Sequence, residues 1–177
     1  MPTNAKTKAK TAAARKTQTK TQNARSERMN AIELLKHDHR KVEEHFEEYE
    51  DLEDDADKAE LSAKICQALK VHAQIEEEIF YPAAREATRD DDLLDEALVE
   101  HAGAKRLIEE IESMEVGNDL YDAKIRVLSE QIKHHVKEEE EELFPEAERS
   151  DMDLKAVGEE LEGRKMELMA GMGAARR

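Results

Sequence analysis

A chain of 177 residues has room for one domain with a sizeable core, and a makeup of 41% charged but only 3% aromatic residues favours long helices over sheets. The single cysteine, Cys66, allows no internal disulfide, and neither a membrane-length apolar run nor an apolar secretory leader is present, so a cytoplasmic protein is expected. The net charge of −16 divides into +7 on residues 1–28 and −23 on the remainder, which turns the body away from nucleic acid and anionic lipid and suits it to cations.

Residues 1–26 hold Lys, Thr, Ala, Gln and Asn with no large apolar residue after Met1, so a disordered basic tail is expected. It solubilises, and it is the only segment suited to a polyanion or an acidic protein partner, although it lacks the interleaved aromatics of a single-strand binder. Ser26 reads as the cap of a first helix over roughly 28–53, with Ile32, Leu35, His39, Val42, Phe46 and Tyr49 on one stripe. A second helix, roughly 57–86, carries Leu61, Ile65, Leu69, His72, Ile75, Glu76 and Ile79 in the same way. The third, roughly 91–115, carries Leu94, Leu98, His101, Ala104, Ile108 and Ile111. The fourth, roughly 119–148, carries Ile125, Leu128, Ile132, His135, Val136, Glu139 and Leu143. Pro82 and Pro145 are expected to kink or end helices two and four. The breaks at Asp54-Asp55, Thr88–Asp90 and Val116-Gly117-Asn118 are short, which predicts an all-α, up-down-up-down antiparallel four-helix bundle over residues 27–148. Residues 149–177 form a C-terminal extension, with Ser150 and Asp153 resembling a capping box for a fifth helix to about Met169.

The two halves of the bundle repeat. His72 to Glu77 followed by Phe80-Tyr81-Pro82 matches His135 to Glu140 followed by Leu143-Phe144-Pro145, and Asp38-His39 matches Glu100-His101. Residues four apart on a helix differ by about 40° in azimuth, so His72/Glu76 and His135/Glu139 each aim both side chains at one interior point. Burying two charged glutamates without partners costs several kcal/mol each, a conflict that a metal cation removes. Imidazole and carboxylate ligands without thiolate suit iron or manganese better than structural zinc. Phase then selects His39, His72, Glu76, His101, His135 and Glu139 as the metal set. His37 lies about 200° and His45 about 120° from His39, and His134 and Glu138 share a face with Lys137, Gln131 and Glu141, so these histidines are expected at the surface. Glu77 and Glu140, one step round from the paired glutamates, are expected to be solvated or to stand behind the metal ligands, and otherwise to add a ligand. No nucleophile triad, phosphate-binding loop, nucleotide fingerprint or zinc-finger spacing is present.

These residues resemble the hemerythrin family, in particular the bacterial hemerythrin-like HHE cation-binding domains, across about residues 30–148. The resemblance implies two iron ions bridged by carboxylates and an oxo or hydroxo group, reacting with dioxygen, peroxide or nitric oxide. Two departures from the respiratory pattern stand out. Lys105 occupies the place of a second third-helix histidine, and His135 pairs with Glu139 where the pattern has an aspartate one residue later. Four imidazoles, two bridging carboxylates and a bridging oxygen then leave about two of some twelve coordination positions open, unless Tyr49, Glu77 or Glu140 fills one. Open positions favour direct reaction with peroxide or oxygen over reversible carriage. The expectation is a di-iron protein that binds or senses small oxidants, with catalase-like peroxide decomposition as the enzymatic alternative and a metal-stapled interaction module using the tail as the third.

Overall fold

The computed structural model describes residues 29–88 and 91–175, with side chains to residue 172; the basic segment 1–26, including the expected Ser26 cap, lies outside the described residues. All the regular structure described is helical. Helix α1 spans Ala31–Glu50 and starts from a capping box: the Asn30 side chain accepts the Glu33 N–H at 3.0 Å and the Glu33 carboxylate accepts the Asn30 N–H at 2.9 Å. A second rod follows the Asp54 cap and comprises α2 (Asp55–Ile75), a π-helical turn (Glu76–Phe80) and α3 (Tyr81–Thr88). After α4 (Asp91–Glu112), a turn containing Gly117 at φ +88°, where a β-carbon is disfavoured, leads to the last of the four rods. That rod comprises α5 (Tyr121–Glu138), a second π turn (Glu139–Leu143) and α6 (Phe144–Arg149).

The prolines do not end their helices. Pro82 and Pro145 are the second residues of α3 and α6, each directly after a π turn. In an uninterrupted α-helix a proline ring would meet the carbonyl four residues back. Here the Tyr81 N–H reaches the Glu76 carbonyl and the Phe144 N–H reaches the Glu139 carbonyl, five residues back in both cases. The extra residue turns the chain that follows by about 100°.

Apolar packing falls into two clusters with a polar layer between them. Leu34, Leu35, Ile75, Phe80, Leu94 and Phe144 belong to one; Val42, Phe46, Ile65, Leu69, Ile108 and Leu128 belong to the other. Helices α1 and α4 pass from the first cluster to the second, and the other two rods pass back. His39, His72, His101 and His135 occupy the level between. Among the described residues no helix is long and apolar enough to cross a membrane.

The C-terminal helix α7 (Leu154–Ala175) is longer than expected and is built into the core. Asp153 alone caps it, accepting the Ala156 N–H at 3.0 Å, whereas the Ser150 hydroxyl serves the preceding turn by accepting the Met152 N–H. It packs against α1 and α2, with Leu161 fully buried in the first cluster. Contact is closest at Gly158, where a β-carbon would lie 2.7 Å from the Ala31 nitrogen and 2.8 Å from the Met29 oxygen. Gly158→Val is therefore expected to destabilise the fold by about 1–3 kcal/mol in denaturant unfolding, since backbone cannot give way as a side chain can. Gly163→Ala, which meets nothing within 4 Å, is expected to be neutral or to stabilise by up to about 1 kcal/mol.

Candidate metal centre

The six residues selected by helical phase lie together in the polar layer, all buried: Glu76 is 0% and Glu139 2% exposed. α1 supplies His39, α2 supplies His72, α4 supplies His101 and α5 supplies His135. Each glutamate is the first residue of a π turn.

The imidazoles face one another in two pairs. Nε2 of His39 lies 3.0 Å from Nε2 of His72, and Nε2 of His101 lies 3.1 Å from Nε2 of His135. Glu76 spans the pairs, with Oε1 3.1 Å from His72 Nε2 and Oε2 3.4 Å from His101 Nε2. Glu139 places Oε2 between them, 3.3 Å from His39 Nε2 and 3.5 Å from His135 Nε2. Two groups able to hold a cation result, His39/His72/Glu76/Glu139 and Glu76/His101/His135, sharing Glu76.

The outer ring nitrogens fix how those inner nitrogens are used. Nδ1 of His39 faces Glu140 at 3.0 Å, that of His101 faces Glu77 at 2.9 Å and that of His135 faces Glu100 at 2.8 Å. Donation from Nδ1–H to a carboxylate leaves a lone pair on Nε2. Two such lone pairs about 3 Å apart repel unless a cation or proton lies between them. Both oxygens of Glu76 and Oε2 of Glu139 are buried without a hydrogen-bond partner among the described residues. A donor set of imidazole nitrogen and carboxylate oxygen, converging and unpaired, fits a transition-metal cation.

Glu77 and Glu140 are committed outward, to Lys105 at 2.6 Å and to Arg40 at 2.9 Å. His39 and Arg40 hold the Glu140 carboxyl down at about 2. Lys105, the departure from the respiratory pattern, thus steadies the carboxylate that orients His101. Tyr49 also lies elsewhere, donating to Asp122 Oδ1 at 2.8 Å. Tyr81 reaches the centre in its stead: its hydroxyl donates to Glu139 Oε1 at 2.9 Å and lies 3.3 Å from His101 Nε2. Burial and the nearby glutamates push its pKa well above 10, so it remains a donor. The π turn that carries Tyr81 round to this face has no periodic signature in the sequence. The matching position in the other half is Phe144, stacked on His39 with ring centroids 5.8 Å apart. His37 and His134 are exposed, and His45 faces Glu48 at 3.8 Å. Beside the imidazoles a cavity of about 20 Å³, lined by Val42, Leu69, Ala104, Ile108 and Ile132, has room for one or two water-sized atoms.

Without metal, protons must do the cation's work. Burial pushes His72 down, but Glu76, Asp38 and Glu139 outweigh it and hold its pKa at about 10; Glu139, Glu100 and Glu76 likewise hold His135 at about 9. Burial pushes Glu76 up, but His72 and His101 bring it well below 4.5. Raised imidazoles stabilise fully below their ordinary 6.5 and stop doing so as pH rises through 9–10. A lowered carboxyl stabilises fully above 4.5 and less as pH falls. In chelator-treated protein the stability difference between the native chain and His72→Gln is therefore expected to peak between pH 4.5 and 6.5 and to shrink toward pH 10, read from denaturant midpoints. A difference unchanged from pH 6.5 to 10 would contradict this charge assignment.

The family model described as Hemerythrin HHE cation binding domain matches residues 30–147, all four rods but not α7. A DNA nickase from Nostoc sp. (strain PCC 7120 / SAG 25.82 / UTEX 2576) is 31% identical over 124 residues, covering 70% of this chain and 35% of that protein; the chain thus spans about a third of that relative's length. A crystal structure of a Hemerythrin HHE cation binding domain-containing protein from Mycobacterium kansasii has the same fold, with a TM-score of 0.71 at 20% identity over 81% of this chain and 89% of that one. The chain belongs to the hemerythrin HHE cation binding domain family.

Proposed function

We propose that this chain is a non-haem di-iron protein that handles dioxygen, peroxide or nitric oxide, or senses iron or redox state. The observation that carries the reading is the pair of facing imidazole couples, His39/His72 and His101/His135, joined by the unpartnered carboxylate of Glu76. In this reading His39, His72, His101 and His135, together with Glu76 and Glu139, would hold the iron. Bound iron supplies electrons and open positions for a small oxygen or nitrogen species. The apolar cavity beside the imidazoles admits a diatomic molecule and little else. Tyr81 Oη is a buried hydrogen-bond donor at the centre, and it also fixes the orientation of Glu139. Phe80 and Phe144, both fully buried, exclude water from one side.

The reading includes an up-down-up-down four-helix bundle over residues 27–148, supported by the opposite order in which successive rods traverse the two apolar clusters, followed by the 149–177 extension. It also includes a cytoplasmic setting, favoured by the lone buried thiol Cys66, and leaves contact with an acidic partner to the basic segment 1–26. A second reading is favoured by the 31% identity to a protein named DNA nickase: metal-dependent cleavage of a DNA strand, with the basic segment as the element that contacts DNA. The −23 body charge weighs against it.

Protein from iron-replete cells is expected to hold about two iron atoms per chain, with absorption from oxygen-to-iron charge transfer when oxidised. Glu76→Ala and Glu139→Ala are expected to lose most of the iron, and protein that holds none refutes the proposal. Oxygen evolution from peroxide that disappears in both variants identifies the enzymatic form, whereas iron binding without turnover identifies binding or sensing. Nicking of supercoiled plasmid by the native chain, lost on deleting residues 1–26, would favour the second reading.

A further inference from the structure

His39, His101 and His135 each hold Nδ1 within 2.8–3.0 Å of a carboxylate. His72 does not. Its Nδ1 lies 3.6 Å from Asp38 Oδ2, beyond hydrogen-bond reach, and has no other partner among the described residues although the residue is only 7% exposed. The other oxygen of Asp38, Oδ1, is held by Nζ of Lys165. Lys165 belongs to α7, outside the residues 30–147 that carry the family match.

Pairing with a cation does not by itself keep a carboxylate from its imidazole. Glu140 pairs with Arg40 and Glu77 with Lys105, and both still reach Nδ1. Those cations stand on the same helices as the imidazoles they serve, Arg40 next to His39 and Lys105 one turn after His101, so each carboxylate meets cation and imidazole on one side. Lys165 comes from a separate helix. The carboxylate it holds is also one methylene shorter than Glu100, its counterpart in the repeat. The position of α7 is well determined by Gly158 against the backbone of Met29–Ala31, by buried Leu161, and by Arg164 Nε 2.6 Å from Glu78 Oε2 in the first π turn.

We infer that Lys165, acting through Asp38, makes the two halves of the centre unequal, the His39/His72 half being the weaker cation site. A carboxylate accepting from Nδ1 fixes the ring in the orientation its cation needs; His72 lacks that bond, and the charge of the carboxylate facing it is drawn to Lys165. Lys165 is a positioning residue. The inference rests on the metal-binding reading above and adds that the two cations are held with different strength.

Anaerobic titration of the full chain with ferrous ion against a chromophoric chelator tests it. Two stepwise dissociation constants separated on the order of 10–100-fold are expected, the range typical for loss of such an outer partner. Lys165→Met is expected to tighten the weaker site on the order of 10-fold with the tighter one unchanged. Lys165→Arg should keep the native separation, and Asp38→Glu, with the reach of Glu100, should tighten the same weaker site. In metal-free protein the ¹⁵N signal of His72 Nδ1 should move toward those of the other three in Lys165→Met, a shift that a merely structural role would not cause. Equal constants in the native chain, or a weaker site unmoved or loosened in Lys165→Met, overturn this inference and leave the di-iron reading standing. A native chain that takes up no iron overturns both.

Discussion

Glu76 and Glu139 bring two carboxylates to a depth that water does not reach, and most of the molecule is arranged around that charge. An unpaired buried carboxylate is worth several kcal/mol of destabilisation, comparable to the whole net stability of a small domain. Four imidazoles converge on the pair, and acidic side chains or cations stand behind each imidazole. The apolar core is accordingly split in two, with Leu35 and Phe80 on one side of the polar layer and Val42 and Leu69 on the other. A cation-binding domain can hold such a layer because its ligand neutralises it; the same residues without a cation depend on protons shared among the histidines.

The two halves are alike in plan and unlike in detail. Each contributes two histidines, one glutamate that begins a π turn, and an acidic residue before its first histidine. The π turn lets position five after the glutamate fall back on the same face, and there the halves differ. Tyr81 gives Glu139 a hydrogen bond, while Phe144 offers Glu76 none, so one glutamate keeps both oxygens unpartnered and the other keeps one. Asp38 and Glu100 differ similarly, because the shorter side chain answers to Lys165 and the longer one to His135. Such differences arise wherever a repeated hairpin diverges at single positions while its helical phase is retained.

Much of the site was legible without coordinates because helical periodicity is a strict geometric filter. A residue on the line of Leu128 and Ile132 must face inward, which is how His135 separates from its neighbour His134, and the structure buries the one and exposes the other. The repeat supplied a second, independent register. Other features leave no mark on the sequence, for physical reasons. A π turn shifts phase by one residue without any compositional mark, so Tyr81 and Phe144 fall off the expected stripe. The capping box that begins Ala31–Glu50 pairs Asn30 with Glu33, a local match that the apolar stripe does not mark.

The sequence by itself determined the helical class, the two-fold repeat and the six side chains that meet in the polar layer, because these follow from 3.6-residue periodicity and the cost of burying charge. Only the tertiary structure decided which atoms face which. It turned Lys105 and Arg40 onto carboxylates behind the imidazoles, gave Tyr81 to Glu139, and set the C-terminal helix against the bundle so that Lys165 reaches Asp38. Those contacts join residues up to 127 positions apart, and pattern along a chain carries no term for such distances; they exist only once packing has brought the helices together.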